Sequence, residues 1–470
     1  MNQTVFKIPP AFWFYIPRTF NGFLFFWFIC FMALPVPGAR AEKINKDNTE
    51  VRELRKVVDK LKRRIEVLER QNEVNEKNNS KTKSRMEPPE ENIIHSSNTE
   101  GKPLPPVKEL PKPPSDDINF SFGGQIIIEA AFNWPSSPAV SDNDLFPNTL
   151  PTTSAGESGQ FAISSRDTRL WFKTSSLTRL GPFKTLIEID FKGTTGAERI
   201  NNSHQPRMRH AYGILGNLAI GQTESTFANL EAWPDTTPEA IGHISNRQPM
   251  VRWTQKMAKD FDIQFALENP ETTLTNSAGT RITPGDDRVP DLAVKARWYT
   301  DRFSLALSGL LREIRSDGGV APGVEDSEVG GALYFSGKWF TRGRNNIRFG
   351  LSGGNALGRY ASSNSFNDGS IDANGQIELH MVYLGYLSYQ HWFNKNWRIA
   401  ATASHVQTDN DVGRVPANSI KNAQSYHLRV SWLPLLRTIF SAEYLHAMSE
   451  LENGLDGQQD RLQFSARYRF

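Results

Sequence analysis

The sequence predicts an all-β transmembrane β-barrel of 16 antiparallel strands, preceded by a short α-helical coiled coil. Three observations carry this prediction. From residue 118 to the C-terminus, apolar and polar residues alternate in segments of about ten residues, separated by Gly, Asn, Asp and Pro. Aromatic residues make up 11% of the 470 residues and gather at segment ends, as in Trp298-Tyr299, Trp339-Phe340 and Trp392-Phe393. The final stretch QFSARYRF puts Phe464, Tyr468 and Phe470 on one face and Arg467 and Arg469 on the other. One face suited to lipid and one suited to water are what a barrel wall requires.

The chain reads in order as follows. Residues 1–41 carry Lys7 and Arg18, then the apolar run FLFFWFICFMAL, then Ala39 and Ala41 at an A-x-A site. This is the pattern of a secretory signal peptide cleaved after Ala41. The apolar run is shorter than the roughly 20 residues of a spanning helix. Cleavage removes Cys30, the single cysteine, so the mature chain forms neither an intramolecular disulfide nor a thiolate metal site. It also removes Lys7, Arg18 and Arg40 from a net charge of +3, leaving the mature chain formally neutral. Overall charge therefore points to no nucleic-acid partner.

Residues 42–75 hold a heptad pattern. Val51, Val58 and Ile65 occupy a positions, and Leu54, Leu61 and Leu68 occupy d. Asn72 takes the next a position, a polar residue that fixes register. β-Branched a residues with Leu at d favour dimers. Residues 76–117 form a polar, proline-rich linker that cannot build a core.

The barrel is expected over 118–470. Candidate strands fall at 120–131, 167–176, 182–192, 206–215, 217–224, 248–258, 260–269, 290–299, 301–313, 328–340, 344–356, 376–391, 396–407, 420–433, 435–448 and 459–470. In the third, Phe183, Thr185, Ile187 and Ile189 face one way, and Lys184, Leu186, Glu188 and Asp190 the other. A soluble sandwich or propeller would alternate similarly. It would not keep one face apolar on nearly every strand, and no propeller repeat is present.

Sixteen strands leave an aqueous bore whose lining sets what passes. By the same alternation, inward basic residues outnumber inward acids. They include Arg169, Arg207, Arg209, Arg252, Arg297 and Arg348, with Lys295, Arg398, Arg429 and Arg467 among the rest. The longest gap in the first half, about 225–247, is too long for a hairpin turn and is expected to fold inward and narrow the pore. Arg207, Arg209 and Arg252 flank it and are the leading selectivity residues. Asp235 and Glu239 on the loop are expected to oppose them across a transverse field. Arginine forks of this kind match carboxylates.

Two other classes of function stand beside a pore. One is a structural tether that reaches the cell wall through the coiled coil. The other is an outer-membrane hydrolase, which needs a nucleophile, a base and an orienting acid brought together. The nine histidines show no metal spacing, no Ser stands in a nucleophile-elbow context, and GGNALG (353–358) lies in strand texture. No metal, catalytic site or cofactor is expected.

The stretches LWFKTSSLTRLGPFKTLIEIDFKG (170–193), RMRHAYGILGNLAIGQTESTFAN (207–229) and RQPMVRWTQ (247–255) together resemble the DcaP-like family of outer-membrane porins. The resemblance implies a 16-stranded homotrimeric porin in the bacterial outer membrane, with a coiled coil before the barrel on the periplasmic side. It implies passage of small anionic solutes such as dicarboxylates, controlled by inward arginines; Arg207, Arg209 and Arg252 lie inside the matching stretches. The trimer takes precedence over the dimer preference of three heptads. Phe470, with Tyr468 in its lipid-facing row, resembles the terminal aromatic by which barrels are passed to the outer-membrane assembly machinery.

Overall fold

The structure, a computed structural model, describes residues 118–136, 145–152, 159–193, 201–317 and 325–470. The signal peptide, the coiled-coil positions Val51 to Asn72 and the linker lie outside these residues. Sixteen antiparallel strands close into one barrel. The first eight are β1 Ile118–Trp134, β2 Arg169–Thr178, β3 Gly181–Asp190, β4 Arg207–Leu215, β5 Leu218–Glu224, β6 Arg247–Ala258, β7 Phe261–Glu268 and β8 Asp291–Tyr299. The second eight are β9 Phe303–Asp317, β10 Glu325–Phe340, β11 Asn346–Gly354, β12 Met381–Trp392, β13 Trp397–Asp409, β14 Ile420–Trp432, β15 Thr438–Leu451 and β16 Asp456–Arg469. Each pairs with its successor, and β16 returns to β1 from Gln125↔Arg469 to Trp134↔Asp460. Closure leaves no free edge, so backbone groups at membrane depth find their partners within the wall.

The wall is inverted relative to a soluble protein. Leu333 is 64% exposed on the outer face while its neighbour Tyr334 is 0% exposed inside. Leu267, Leu307, Leu351 and Leu387 also face out, whereas Ser308, Ser336, Gln390 and Ser431 are buried inward. Each outward aliphatic side chain would cost about 1.5–3 kcal/mol to leave in water. Hydrocarbon is the solvent that makes this surface stable.

Short turns join strands at the end where β1 begins and β16 ends; the long connections 269–290 and 355–380 lie at the other end. Short turns mark the periplasmic side of such barrels. Outward rings ring that end: Trp397 stacks on Trp432 at 5.8 Å, Trp432 contacts Phe440 at 5.7 Å, and Trp298 meets Phe303 edge-on at 4.8 Å. The C-terminus is sewn into the same rim. The Phe470 N–H donates to the Gly124 carbonyl at 3.0 Å, and the Gly124 N–H donates back at 3.3 Å. A side chain at Gly124 would collide with the Phe470 ring, its Cβ falling 2.4 Å from Cζ.

The strand pattern departs from the alternation at a break and at three bulges, those in β6 and β14 lying at Lys256/Ala258 and Ile420/Asn422, and a short strand Gln160–Ser164 adds to β1. The expected strand at 376–391 breaks at His380, whose N–H donates to the Asp368 carbonyl at 3.0 Å. Ile377–Leu379 therefore leaves the wall and joins a small sheet with Gly369–Ile371, Leu274–Thr275 and Arg281–Ile282. In β4 a bulge opposite Glu188 and Ile189 adds one residue. Arg207 and Arg209 face inward with Met208 outward; beyond the bulge His210 pairs opposite Glu188, also inward, and the phase is flipped.

Placing a charge on the outer wall tests this orientation. Leu333→Arg, in the middle of β10, is expected to destabilise the barrel by about 2–4 kcal/mol, read as a lowered urea midpoint for unfolding from lipid bilayers.

Candidate functional site: a loop across the bore

Residues 225–246 leave the top of β5 and enter the barrel. Their course is set locally by Asn229, whose side chain accepts from the Glu231 N–H at 3.3 Å and caps the 3-10 turn Leu230–Ala232, and by Pro234 and Pro238. Gly242 meets a stricter demand. A Cβ there would fall 2.2 Å from the Gly385 carbonyl oxygen and 2.4 Å from that of His405, so the loop backbone lies directly against the inner wall.

Apolar burial holds the upper part of the loop. Phe227, Ala228, Ala232, Ile241 and Ile244 are almost fully buried. Phe227 packs on Tyr334 at 5.7 Å and on Tyr360 at 5.9 Å. Tyr360 belongs to the connection 355–380, which also dips inward and bridges the loop at Ile244↔Ala361. That connection is pinned by Arg312, fully buried between Asp291 and Asp368, with the Tyr360 hydroxyl donating to Asp291 at 2.8 Å.

Polar contacts fasten the loop around half the wall. Lys295 on β8 donates to the Ala228 carbonyl at 2.8 Å, Asn229 to Ser336 on β10 at 3.0 Å, and Arg348 on β11 to the Trp233 carbonyl at 2.5 Å. The Tyr386 hydroxyl on β12 donates to the Ala232 carbonyl at 3.0 Å. The Thr237 N–H donates to Glu443 on β15 at 2.6 Å, and the Ile241 N–H to Ser425 on β14 at 3.2 Å. Among the described residues, no hydrogen bond joins the loop to β1–β4, so that side of the bore is left uncovered.

Ser425, His427 and Glu443 form a series, with Ser425 Oγ 2.9 Å from His427 Nε2 and His427 Nδ1 2.8 Å from Glu443. It has the order of a nucleophile relay. Yet Ser425 is 0% exposed, and its oxygen is engaged by the Ile241 N–H and by Ser404 at 2.6 Å. The series fastens the loop to the wall.

The sequence-derived arginines divide into two groups. Arg207 forks onto Asp190 at 3.0 and 2.7 Å; Arg209 bonds Glu188 at 2.8 Å and Asp190 at 3.0 Å; Arg297 forks onto Asp262 at 2.9 and 2.7 Å. Arg348 is spent on the loop carbonyl. Arg169 and Arg252 are different: among the described residues their guanidinium groups have no hydrogen bond or ion pair. Arg467 on β16, read from the sequence as inward but not as a leading selectivity residue, shares that state. Arg169 lies on the uncovered side and Arg467 on β16 beside it, whereas Arg252 lies on β6, which the loop meets through Asn246 and Gln248 at 2.7 Å.

The loop acids do not meet the arginines expected to oppose them. Asp235 reaches Arg398 on β13, with Nε 2.8 Å from Oδ2, and lies 3.5 Å from Arg429 on β14. Burial pushes its carboxyl up, but Arg429, Arg398 and Arg348 outweigh burial and hold it below the usual carboxylate range. Glu239 pairs instead with His243 at 2.7 Å and accepts from Ser363 at 3.0 Å. Arg398 and Arg429 lie on the inward phase of their strands, which was readable. Their link to Asp235, 163 residues away for Arg398, was not.

Burial alone would raise the Glu239 carboxyl and lower the His243 imidazole. Their mutual attraction reverses both, so Glu239 is held well below its ordinary value and His243 above its own. The Glu239 contribution is present above its unfolded value and is lost as pH falls through the depressed one. The His243 contribution is present below its unfolded value and is lost as pH rises through the raised one. The pair is therefore intact at neutral pH and fails on the alkaline side. Single-channel recordings are expected to grow noisier as pH rises above neutral, and His243→Gln to show that noise at neutral pH.

The family model described as DcaP outer membrane protein matches residues 32–470. The crystal structure of the outer membrane channel DcaP of Acinetobacter baumannii superposes with a TM-score of 0.63 at 19% identity, covering 75% of this chain and 97% of that one. An anion-selective porin from Comamonas acidovorans superposes with a TM-score of 0.50 at 10% identity, covering 75% of this chain and 100% of that one. At these identities the likeness concerns the fold. No protein of curated function matches the sequence.

Proposed function

Because this chain belongs to the DcaP outer membrane protein family and is an outer-membrane channel, we propose that it passes small anionic solutes, dicarboxylate-like organic acids, by passive diffusion. The observation that carries this reading is the trio Arg169, Arg252 and Arg467, whose guanidinium groups have no hydrogen bond or ion pair among the described residues. A cation without a bonded protein partner, lining an aqueous bore with low-dielectric walls, attracts a mobile anion and repels a mobile cation. Arg207, Arg209 and Arg297 add positive potential but are largely balanced by Asp190, Glu188 and Asp262. In this reading Arg252 and Arg169 act directly on the solute, and the paired arginines chiefly stiffen the wall.

The proposal extends to assembly. Cleavage after Ala41 leaves a periplasmic coiled coil at 42–75, joined to the barrel by the 76–117 linker, in a homotrimer with outer-membrane lipids around it. Phe470 and Tyr468, outward at the periplasmic rim, serve the assembly machinery.

Planar-bilayer reversal potentials in a salt gradient test the function. The wild-type channel is expected to prefer anions; a cation preference overturns the reading. Arg252→Glu is expected to weaken that preference, more at low ionic strength where screening is weak.

A further inference from the structure

The cationic lining of this bore is not one field. Among the described residues the guanidinium groups of Arg169, Arg252 and Arg467 have no hydrogen bond or ion pair. On β13 and β14, Arg398 and Arg429 are engaged by a carboxylate that the loop itself brings. Asp235 Oδ2 lies 2.8 Å from Arg398 Nε and accepts from Gln390 Nε2 at 2.7 Å. Its Oδ1 accepts from the other arm of Arg398 at 3.1 Å and lies 3.5 Å from Arg429. A guanidinium fork, an amide donor and a second guanidinium converging on one carboxyl are the groups that would bind a free carboxylate.

The cradle is built on the wall, not on the loop. Gln390 and Arg398 flank the turn between β12 and β13, and Gln390 is further oriented by Asn346 Nδ2, which donates to Gln390 Oε1 at 3.0 Å. Arg429 is steadied by its donation to Ser441 at 3.0 Å. Only the carboxylate comes from the inserted loop. That loop has other fastenings: Thr237 and Ile241 are held by Glu443 and Ser425, and Ala228 and Ala232 by Lys295 and Tyr386.

We infer that Asp235 is a tethered counter-ion which occupies a carboxylate-binding cradle of Arg398, Arg429 and Gln390 and thereby sets how strongly the channel selects and holds anionic solutes. This rests on the anion-channel reading and deepens it. With Asp235 in place, the β12–β14 wall offers a solute little free charge, and anions run along the uncovered side. With the tethered acid neutralised, a small dicarboxylate gains a second site on the β12–β14 wall, in addition to the free arginines.

The test uses the purified full-length protein in planar bilayers, with succinate as the probe. Asp235→Asn keeps the shape and the acceptor oxygen while removing the charge. Its anion-to-cation permeability ratio is expected to rise at least about twofold, and the succinate concentration that half-blocks chloride current to fall by a similar factor. Arg398→Gln is expected to shift the ratio the opposite way, and the double variant to return toward wild type, the coupling expected of two groups in contact. An Asp235→Asn channel with unchanged ratio and unchanged block overturns the inference. So does one whose unitary conductance rises while selectivity falls, because Asp235 would then be only a loop anchor. If Asp235→Asn fails to assemble, Arg398→Gln alone decides: no shift toward cations overturns it. A cation-preferring wild type would refute the anion-channel reading, yet the sign of the Asp235→Asn shift would still be readable.

Discussion

Closure of the wall is the constraint on which everything else depends. In hydrocarbon an unpaired backbone group costs several kcal/mol, so sixteen strands are tolerable there only if the last pairs with the first. The Phe470–Gly124 hydrogen bonds and the long register of β16 on β1 provide that closure. Once the ring is closed, strand geometry does the sorting. Each side chain is committed either to lipid, as Leu333 is, or to the bore, as Tyr334 is.

The bore is too wide to be filled by wall side chains, and two inserted segments narrow it. The loop 225–246 and the connection 355–380 bring an apolar nucleus of their own, Phe227, Ile241, Ile244, Leu357 and Tyr360, into the barrel. That nucleus shields polar fastenings from water and so strengthens them. The buried Arg312 between two aspartates is the extreme case. Such a group is stable only when every charge in the cluster is matched, as Asp291, Asp368 and the Tyr360 hydroxyl match it here.

Electrostatics then follow from where the loop goes. Arginines with a wall carboxylate across the ladder, such as Arg207 with Asp190, are bracing. Those under the loop, Arg398 and Arg429, are answered by Asp235. Arg169, Arg252 and Arg467 have no hydrogen bond or ion pair within the described residues. A near-neutral barrel domain can thus present a cationic path without an excess of basic residues.

The sequence by itself determined the wall. Alternation has a period of two, lipid and water demand opposite side chains, and strand number, approximate strand ends, the facing of most residues and the aromatic rim all follow from that local rule. It failed where the backbone departs from the rule without a residue that announces it, at the bulges in β4, β6 and β14, at the added strand Gln160–Ser164 and at the break before Met381. The inward phase of Arg252 and Arg398 was legible for the same local reason. Whether each is free or paired was not, because that depends on which carboxylate arrives from a segment far along the chain. Asp235 is near Arg207 in sequence and bonded to Arg398 in space. Only the tertiary course of the loop, fixed by Phe227 packing, the Gly242 approach and fastenings to strands from β6 to β15, decided which guanidinium groups remain available to a solute.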